Sequence, residues 1–349
     1  MTTSTDVRTA FANQVAYCEA NNAPITAAVV RAIEETLDEA STYGQRVLGW
    51  QGSPLADALP LRCAAGFHAL HLAGATPELD PVYTGIARPL AVREAIAAVM
   101  ARDEHALLPW LDSPPQTNEA GRSSSFIAAL LWLARQGLPP RFALNELGSS
   151  AGINLMLDRY RYDLGGVAVG PADAAMRFAP EWRGPAPPDE EFAITSAKGC
   201  DVAPVDLTDP AQAIRLRAYI WPEHSERFAR LDAAVAAARV RPPTVVRADA
   251  ADFVDAMLAR PQERGTTRVL MHSIVWQYVP EASRDRVTAA MNAAGARATP
   301  DTPLAWIMLE ANRENYRHEL RVKHWPAAPD WQLLGTAHAH GAWIEWAGS

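Results

Sequence analysis

The double proline Pro139-Pro140 divides the patterning of this chain in two. Adjacent prolines lack backbone N–H groups and stop a helix. On their N-terminal side the apolar residues recur at helical spacing. Pro24 stands where a helix begins, and Ile25, Ala28, Val29, Ala32, Ile33, Thr36 and Leu37 follow on one face. Phe11, Val15 and Cys18 mark an earlier helix, Leu61 to Leu72 closes at Gly74, and Leu90 to Leu108 forms a third. Phe126 to Leu133 ends at Gly137. Residues 1–138 therefore read as an all-helical domain or cap.

Beyond the prolines the pattern alternates between short apolar runs and helical stretches. Arg141–Leu147 is a strand broken at Gly148, with a helix expected from about Ala151 to Tyr162. Residues 165–190 are a Gly/Pro-rich excursion and read as an insertion. Further strands are expected at Glu191–Lys198, Thr244–Asp249, Arg268–Ser273 and Leu304–Leu309. Helices fall around 211–219, 225–238 and 281–293. Glu319–Lys323 and Gly341–Trp346 read as a closing antiparallel pair. This alternation predicts an α/β domain over 139–349, a mostly parallel sheet with helices on both faces.

Charge and composition exclude several function classes. Of 349 residues 21% are charged, with a net charge of −8, divided as −5 over residues 1–135 and −3 over the rest. Neither half has the basic surplus that sequence-independent nucleic-acid binding needs. No apolar run of eighteen residues predicts a membrane-spanning helix. The start Met1–Asp6 shows neither basic nor apolar leader regions, so the expected compartment is the cytoplasm. Cys18, Cys63 and Cys200 are too few and too dispersed for a disulfide framework. The histidine pairs His68/His71 and His338/His340 lack an identifiable third ligand, and no metal is expected. Oligomeric state is not legible.

In a parallel sheet, ligands collect at the carboxyl ends of the strands. The first ends in Glu146-Leu147-Gly148-Ser149-Ser150-Ala151-Gly152-Ile153-Asn154. Its glycines let backbone approach a ligand, and the next helix would offer unpaired N–H groups. The second ends at Asp201, suited to ribose hydroxyls, and the third at Asp249 and Asp252, suited to an amino group. The fourth runs into His272, followed by Trp276 and Tyr278. Gln116, Asn118, Glu119 and Arg122 concentrate donors and acceptors after Pro114-Pro115, and read as a loop of the helical domain reaching into the cleft.

Glu146-x-Gly148-x-x-x-Gly152 resembles the first motif of Rossmann-type S-adenosylmethionine-dependent methyltransferases. Gly199-Cys200-Asp201 resembles their second-strand acidic motif, Ala248–Asp252 their third, and Val269–Pro280 their fourth-strand segment. Ser150 stands at the middle glycine, and Asp201 lies 53 residues beyond Gly148. Nearly the whole chain resembles the bacterial family called domain of unknown function 2332. The likeness rests on Gln116–Ser123, Ser150–Leu155, Asp158–Tyr162, Glu181–Gly184 and His272–Tyr278. The methyltransferase resemblance implies a Rossmann-like fold and S-adenosylmethionine as cofactor. Glu146, Gly148, Ser150, Gly152 and Asn154 would hold its amino-acid end, Asp201 ribose and Asp249 adenine. His272 is then the candidate general base, with Glu310 at the fifth strand end a second candidate. The acceptor would be a small molecule bound by Gln116, Asn118, Glu119, Arg122, Trp276 and Tyr278.

Two other classes stay open. Gly148-Ser149-Ser150-Ala151-Gly152 also satisfies Gly-x-Ser-x-Gly between strand and helix, the nucleophile elbow of acyl hydrolases. Ser150 would attack, with Asp249 or Asp252 and His272 or His338 completing a triad. Alternatively, the fold is kept without chemistry, as a non-catalytic ligand-binding protein.

Overall fold

The computed structural model describes residues 4–348, so Met1, Thr2 and Thr3 of the N-terminal reading lie outside the described residues. Its helices are α1 (Ser4–Ala20), α2 (Pro24–Thr36), α3 (Thr42–Leu48), α4 (Leu59–Leu72), α5 (Asp80–Tyr83), α6 (Pro89–Leu107), α7 (Ser123–Arg135), α8 (Pro210–Ala218), α9 (Ser225–Val240), α10 (Ala250–Leu258) and α11 (Glu281–Gly295). The chain forms two compact units: residues 1–117 with 209–229, and residues 118–208 with 230–349. This partition differs from a boundary at 138, because α7 groups with the sheet and α8 with the N-terminal helices. No helix is long and apolar enough to cross a membrane, among the described residues.

The helical unit folds around the apolar stripes read from the sequence. Pro24 opens α2, whose Val29, Val30, Ala32 and Ile33 are buried. They join Phe11, Tyr43, Leu59, Phe67, Ile96 and Leu107 in one core. Segment 209–229 is tied in by polar contacts as well. Glu223 accepts hydrogen bonds from the Ile25 and Thr26 N–H groups and from the Thr26 hydroxyl.

The α/β unit is built on a nine-stranded mixed sheet. Its strands in chain order are β1 (Arg141–Leu147), β2 (Arg161–Leu164), β3 (Val167–Val169), β4 (Arg177–Phe178), β5 (Glu181–Arg183), β6 (Ala193–Asp201), β7 (Thr244–Arg247), β8 (Thr267–Ser273), β9 (Leu304–Asn312), β10 (Arg317–Trp325), β11 (Ala328–Ala337) and β12 (Trp343–Trp346). The order is β5-β12-β11-β10-β9-β8-β1-β6-β7, with β2, β3 and β4 in a separate small sheet. Strands β7, β6, β1, β8 and β9 run parallel. The chain starts at β1, moves outward through β6 to β7, then returns to place β8 on β1's other side. That reversal sets a crevice at the carboxyl ends of β1 and β8.

The central strand β8 is buried along its whole length, as a parallel strand covered on both faces must be. On one face Leu147, Cys200, Leu270 and Trp306 pack against Phe253, Val254 and Met257 of α10 and Val287 and Met291 of α11. The other face carries α7, whose residues 123–133 are all buried and whose Trp132 ring lies edge-on to His324 of β10.

Several expected elements take other forms. The expected closing pair is three strands, because β11 lies between β10 and β12 and pairs antiparallel with both. The helix expected over 151–162 is a 3₁₀ helix, Ile153–Arg159, followed directly by β2. Backbone at Ser150 (φ 50°) and Gly152 (φ 73°) is left-handed, which interrupts α-helical hydrogen bonding at its start. Residues 165–190 contribute β3, β4 and β5 instead of a structureless excursion. Gly199, Cys200 and Asp201 lie within β6 and not beyond its end.

Candidate functional site

Strand alternation sorts the residues at the crevice onto two faces. Leu147 is in register with His272 and Cys200, and His272 with Met308. His272 and Glu310 therefore share the α10/α11 face, whereas Glu146, Gly199 and Asp201 share the α7 face. The structure brings together Glu146, Ser150, Asn154 and Asp201, and separately His272 with Glu310.

On the α7 face the turn after β1 is tightly wired. Ser149 N–H donates to the Cys200 carbonyl and Gly152 N–H to the Ser149 carbonyl. The Ser149 hydroxyl, fully buried, donates to the Glu146 carbonyl. It occupies the space a side chain at Gly199 would need, since a Cβ there would lie 1.8 Å from Ser149 Oγ. At Gly148 (φ 64°), a Cβ would fall 2.3 Å from Val275, so the β1 and β8 turns touch only because this residue has no side chain.

Within this turn sit polar atoms without partners. Glu146 is 1% exposed, Asn154 0% and Ser150 5%. Glu146 Oε2, Ser150 Oγ and both amide atoms of Asn154 are buried without a hydrogen bond. Burial pushes the Glu146 carboxyl up to about 7; the Ser149 hydroxyl, the Asn154 amide and the Arg122 charge partly oppose this, and Asp201 adds to it. Asn154 is thus near enough to ease the carboxylate's charge yet meets it in no hydrogen-bond geometry. Orphaned buried polar groups are rare in native proteins, and a cluster of them is the mark of a site whose partner comes from outside.

Asp201 is more than a ligand acceptor. Oδ2 accepts the Ser150 N–H at 2.9 Å and Oδ1 the Ala203 N–H at 2.8 Å. The expectation that a site carboxylate here supports no structure is corrected. Asp201→Ala should cost about 1–3 kcal/mol of stability without any ligand, the penalty for orphaning partly buried donors. Urea unfolding of the mutant checks it. Asp249 is likewise a helix cap, accepting the Ala251 N–H and the Ser283 hydroxyl. Asp252 pairs with Arg286 on the surface.

On the α10/α11 face, His272 is fully buried, with Nδ1 2.7 Å from Glu310 Oε1. The same oxygen accepts the Val275 and Trp276 N–H groups. An oxygen that already accepts two N–H groups receives the Nδ1 proton too, which leaves Nε2 as an acceptor without a partner. Trp276 stacks on the imidazole at 4.8 Å, as a packing partner, and Tyr278 is 63% exposed.

The polar loop belongs only in part to the helical unit. Gln116 does, whereas Asn118, Glu119 and Arg122 are in the α/β unit. Asn118 Oδ1 accepts the Ile153 N–H at 2.8 Å, at the start of the 3₁₀ helix. Glu119, 4% exposed, accepts from the Gly121 N–H and from Arg230. Arg122, 6% exposed, donates to the carbonyls of Ala339 and Ser273, the latter the last residue of β8. The expectation of a loop reaching across from the helical domain is corrected for these three: they are built-in walls of the crevice. Sequence reasoning missed Ser149 and Arg230. Ser149 carries only the signal of standing inside the glycine turn, and Arg230 carries none.

Comparison with known proteins gives one match. The family model described as an uncharacterized protein conserved in bacteria (DUF2332) matches residues 8–346. The chain belongs to this family. No curated protein and no solved structure matches it. In this DUF2332 chain the match spans both units, so helical and α/β parts belong to one family architecture.

Proposed function

We propose that the α/β unit binds S-adenosylmethionine at the β1 turn and directs methyl transfer to a small-molecule acceptor. One observation carries this reading: Glu146, Ser150 and Asn154 offer unpaired buried polar atoms at the reversal point of a parallel sheet. The chemistry of that set suits an amino-acid end. Glu146 supplies an acceptor for an ammonium, and the Asn154 amide and Ser150 hydroxyl supply donors for a carboxylate. Asp201 is half-exposed, and each of its oxygens keeps a second lone pair for a ribose hydroxyl. The motif likeness around Gly148 points the same way.

The bound cofactor would supply an electrophilic methyl group on a sulfonium. The chain's own part is to orient it, exclude water and receive a proton. For the last task His272 is the acceptor, through Nε2, while Glu310 fixes the ring from Nδ1 and acts as a positioning residue.

Thermal melting of the whole chain tests the reading. S-adenosylmethionine or its demethylated product at about 100 times its Kd should add about 2.7 kcal/mol, roughly 5 °C in Tm. Asn154→Leu should abolish the shift. No shift at millimolar ligand in the parent would overturn the proposal. Stabilisation without any methyl transfer across acceptors would favour the non-catalytic alternative.

One observation favours the acyl-hydrolase alternative: Ser150 has left-handed backbone and a free hydroxyl. Against it, no histidine is hydrogen-bonded to Ser150, and His272 lies on the other face of the sheet. A fluorophosphonate probe should therefore leave Ser150 unlabelled.

A further inference from the structure

We propose that the helical unit carries a second binding site, a pocket for a small neutral aromatic molecule bearing an N–H or O–H group. The pocket encloses about 440 Å³ of atom-free space, mouth included, within the range of small-molecule sites. Its lining lies entirely in the helical unit and includes Thr26, Ala64, His68, Tyr83, Tyr219 and Trp221.

The walls of the space set the character of the ligand. His68 is 4% exposed and stacks on Tyr83 at 4.8 Å. Its Nδ1 lies 3.0 Å from the Ala218 carbonyl oxygen. Facing an acceptor, Nδ1 carries the ring proton, and Nε2 is left as a lone-pair acceptor. Burial pushes the imidazole pKa down to about 4, so the ring stays neutral at physiological pH. The Thr26 hydroxyl proton is spent on Glu223 Oε2, which leaves Thr26 an acceptor too. No lining side chain carries a charge, so an ion would enter without a counterion at a high desolvation cost. A flat apolar body suits walls of Tyr83, Tyr219 and Trp221, and one donor on its edge suits His68 Nε2.

Indole and indene make the deciding pair, since they share size and shape but only indole carries an N–H. Binding of each to the full chain is measured by calorimetry. Indole should bind about three- to tenfold tighter than indene, the worth of one neutral hydrogen bond. His68→Phe keeps a stacked ring without the acceptor and should erase that preference. Ala64→Leu fills the pocket and should weaken both ligands at least tenfold. Equal binding of indole and indene by the parent protein, or no indole binding at 1 mM, overturns the proposal even if neither variant folds. Undiminished indole binding by a folded Ala64→Leu protein does so as well.

Discussion

Glu310→Ala is expected to lose about 3–5 kcal/mol of folding stability, enough to leave much of the protein unfolded at 37 °C. Three donors converge on Glu310 Oε1: His272 Nδ1 and the backbone N–H groups of Val275 and Trp276. Glu310 is 8% exposed and His272 is fully buried, so water is poorly placed to replace the lost carboxylate. Breaking a buried charge-assisted network by removing one partner leaves the others desolvated and unpaired, the costliest class of polar mutation. The alanine also opens space beside Trp276 and Trp306, which pack edge to face at 5.6 Å. Glu310→Gln keeps an acceptor of the same shape and should recover more than half of the loss. Urea midpoints of both variants settle the matter. An alanine variant within 1 kcal/mol of the parent would mean that the turn after β8 is held by something other than this carboxylate.

The architecture around these residues was legible to different depths. Strands β1, β7, β8 and β9 announce themselves as apolar runs, and their carboxyl-end residues Glu146, His272 and Glu310 follow directly. Which face each side chain takes was not legible, because that depends on register between strands far apart in the chain. The 3₁₀ helix was missed for a physical reason. The buried hydroxyls of Tyr160 and Tyr162 donate to the carbonyls of Ile153 and Leu157, and Tyr162 then starts the small sheet with Val169 and Phe178. These tertiary bonds override a helical pattern. Strand β11 hid because its first six residues, Ala328–Leu333, are at least half-exposed and carry no run of apolar side chains. The return of 209–229 to the helical unit rests on contacts such as His68 with Ala218, 150 residues apart, which no local pattern encodes.

Glu146→Gln should stabilise the ligand-free protein at pH 8 by about 3 kcal/mol and at the same time abolish its stabilisation by S-adenosylmethionine. Burial holds the Glu146 carboxyl at about 7 against an ordinary 4.5. The native state therefore binds this proton more firmly than the unfolded chain does. The resulting stability is fully present below about pH 4.5 and is lost as pH rises to about 7, at about 1.4 kcal/mol per pH unit. Above pH 7 the parent protein carries a buried, unpaired carboxylate, whereas glutamine of the same shape carries no charge. Parent and variant should be equally stable near pH 4.5 and diverge as pH rises, with the difference constant above about pH 7. An ammonium group reverses the balance, because it pairs with the ionised carboxylate and has no counterpart in the amide. The parent should gain Tm from the ligand at pH 8 and the variant should not. A parent–variant difference equal at pH 5 and pH 8 would show that Glu146 is ionised without penalty. Equal ligand shifts in the two proteins would place the amino-acid end somewhere other than the β1 turn. The two outcomes are separable because the first needs no ligand. A stability cost removed by the mutation and a binding gain lost with it are the joint signature of a residue kept for its ligand rather than for the fold.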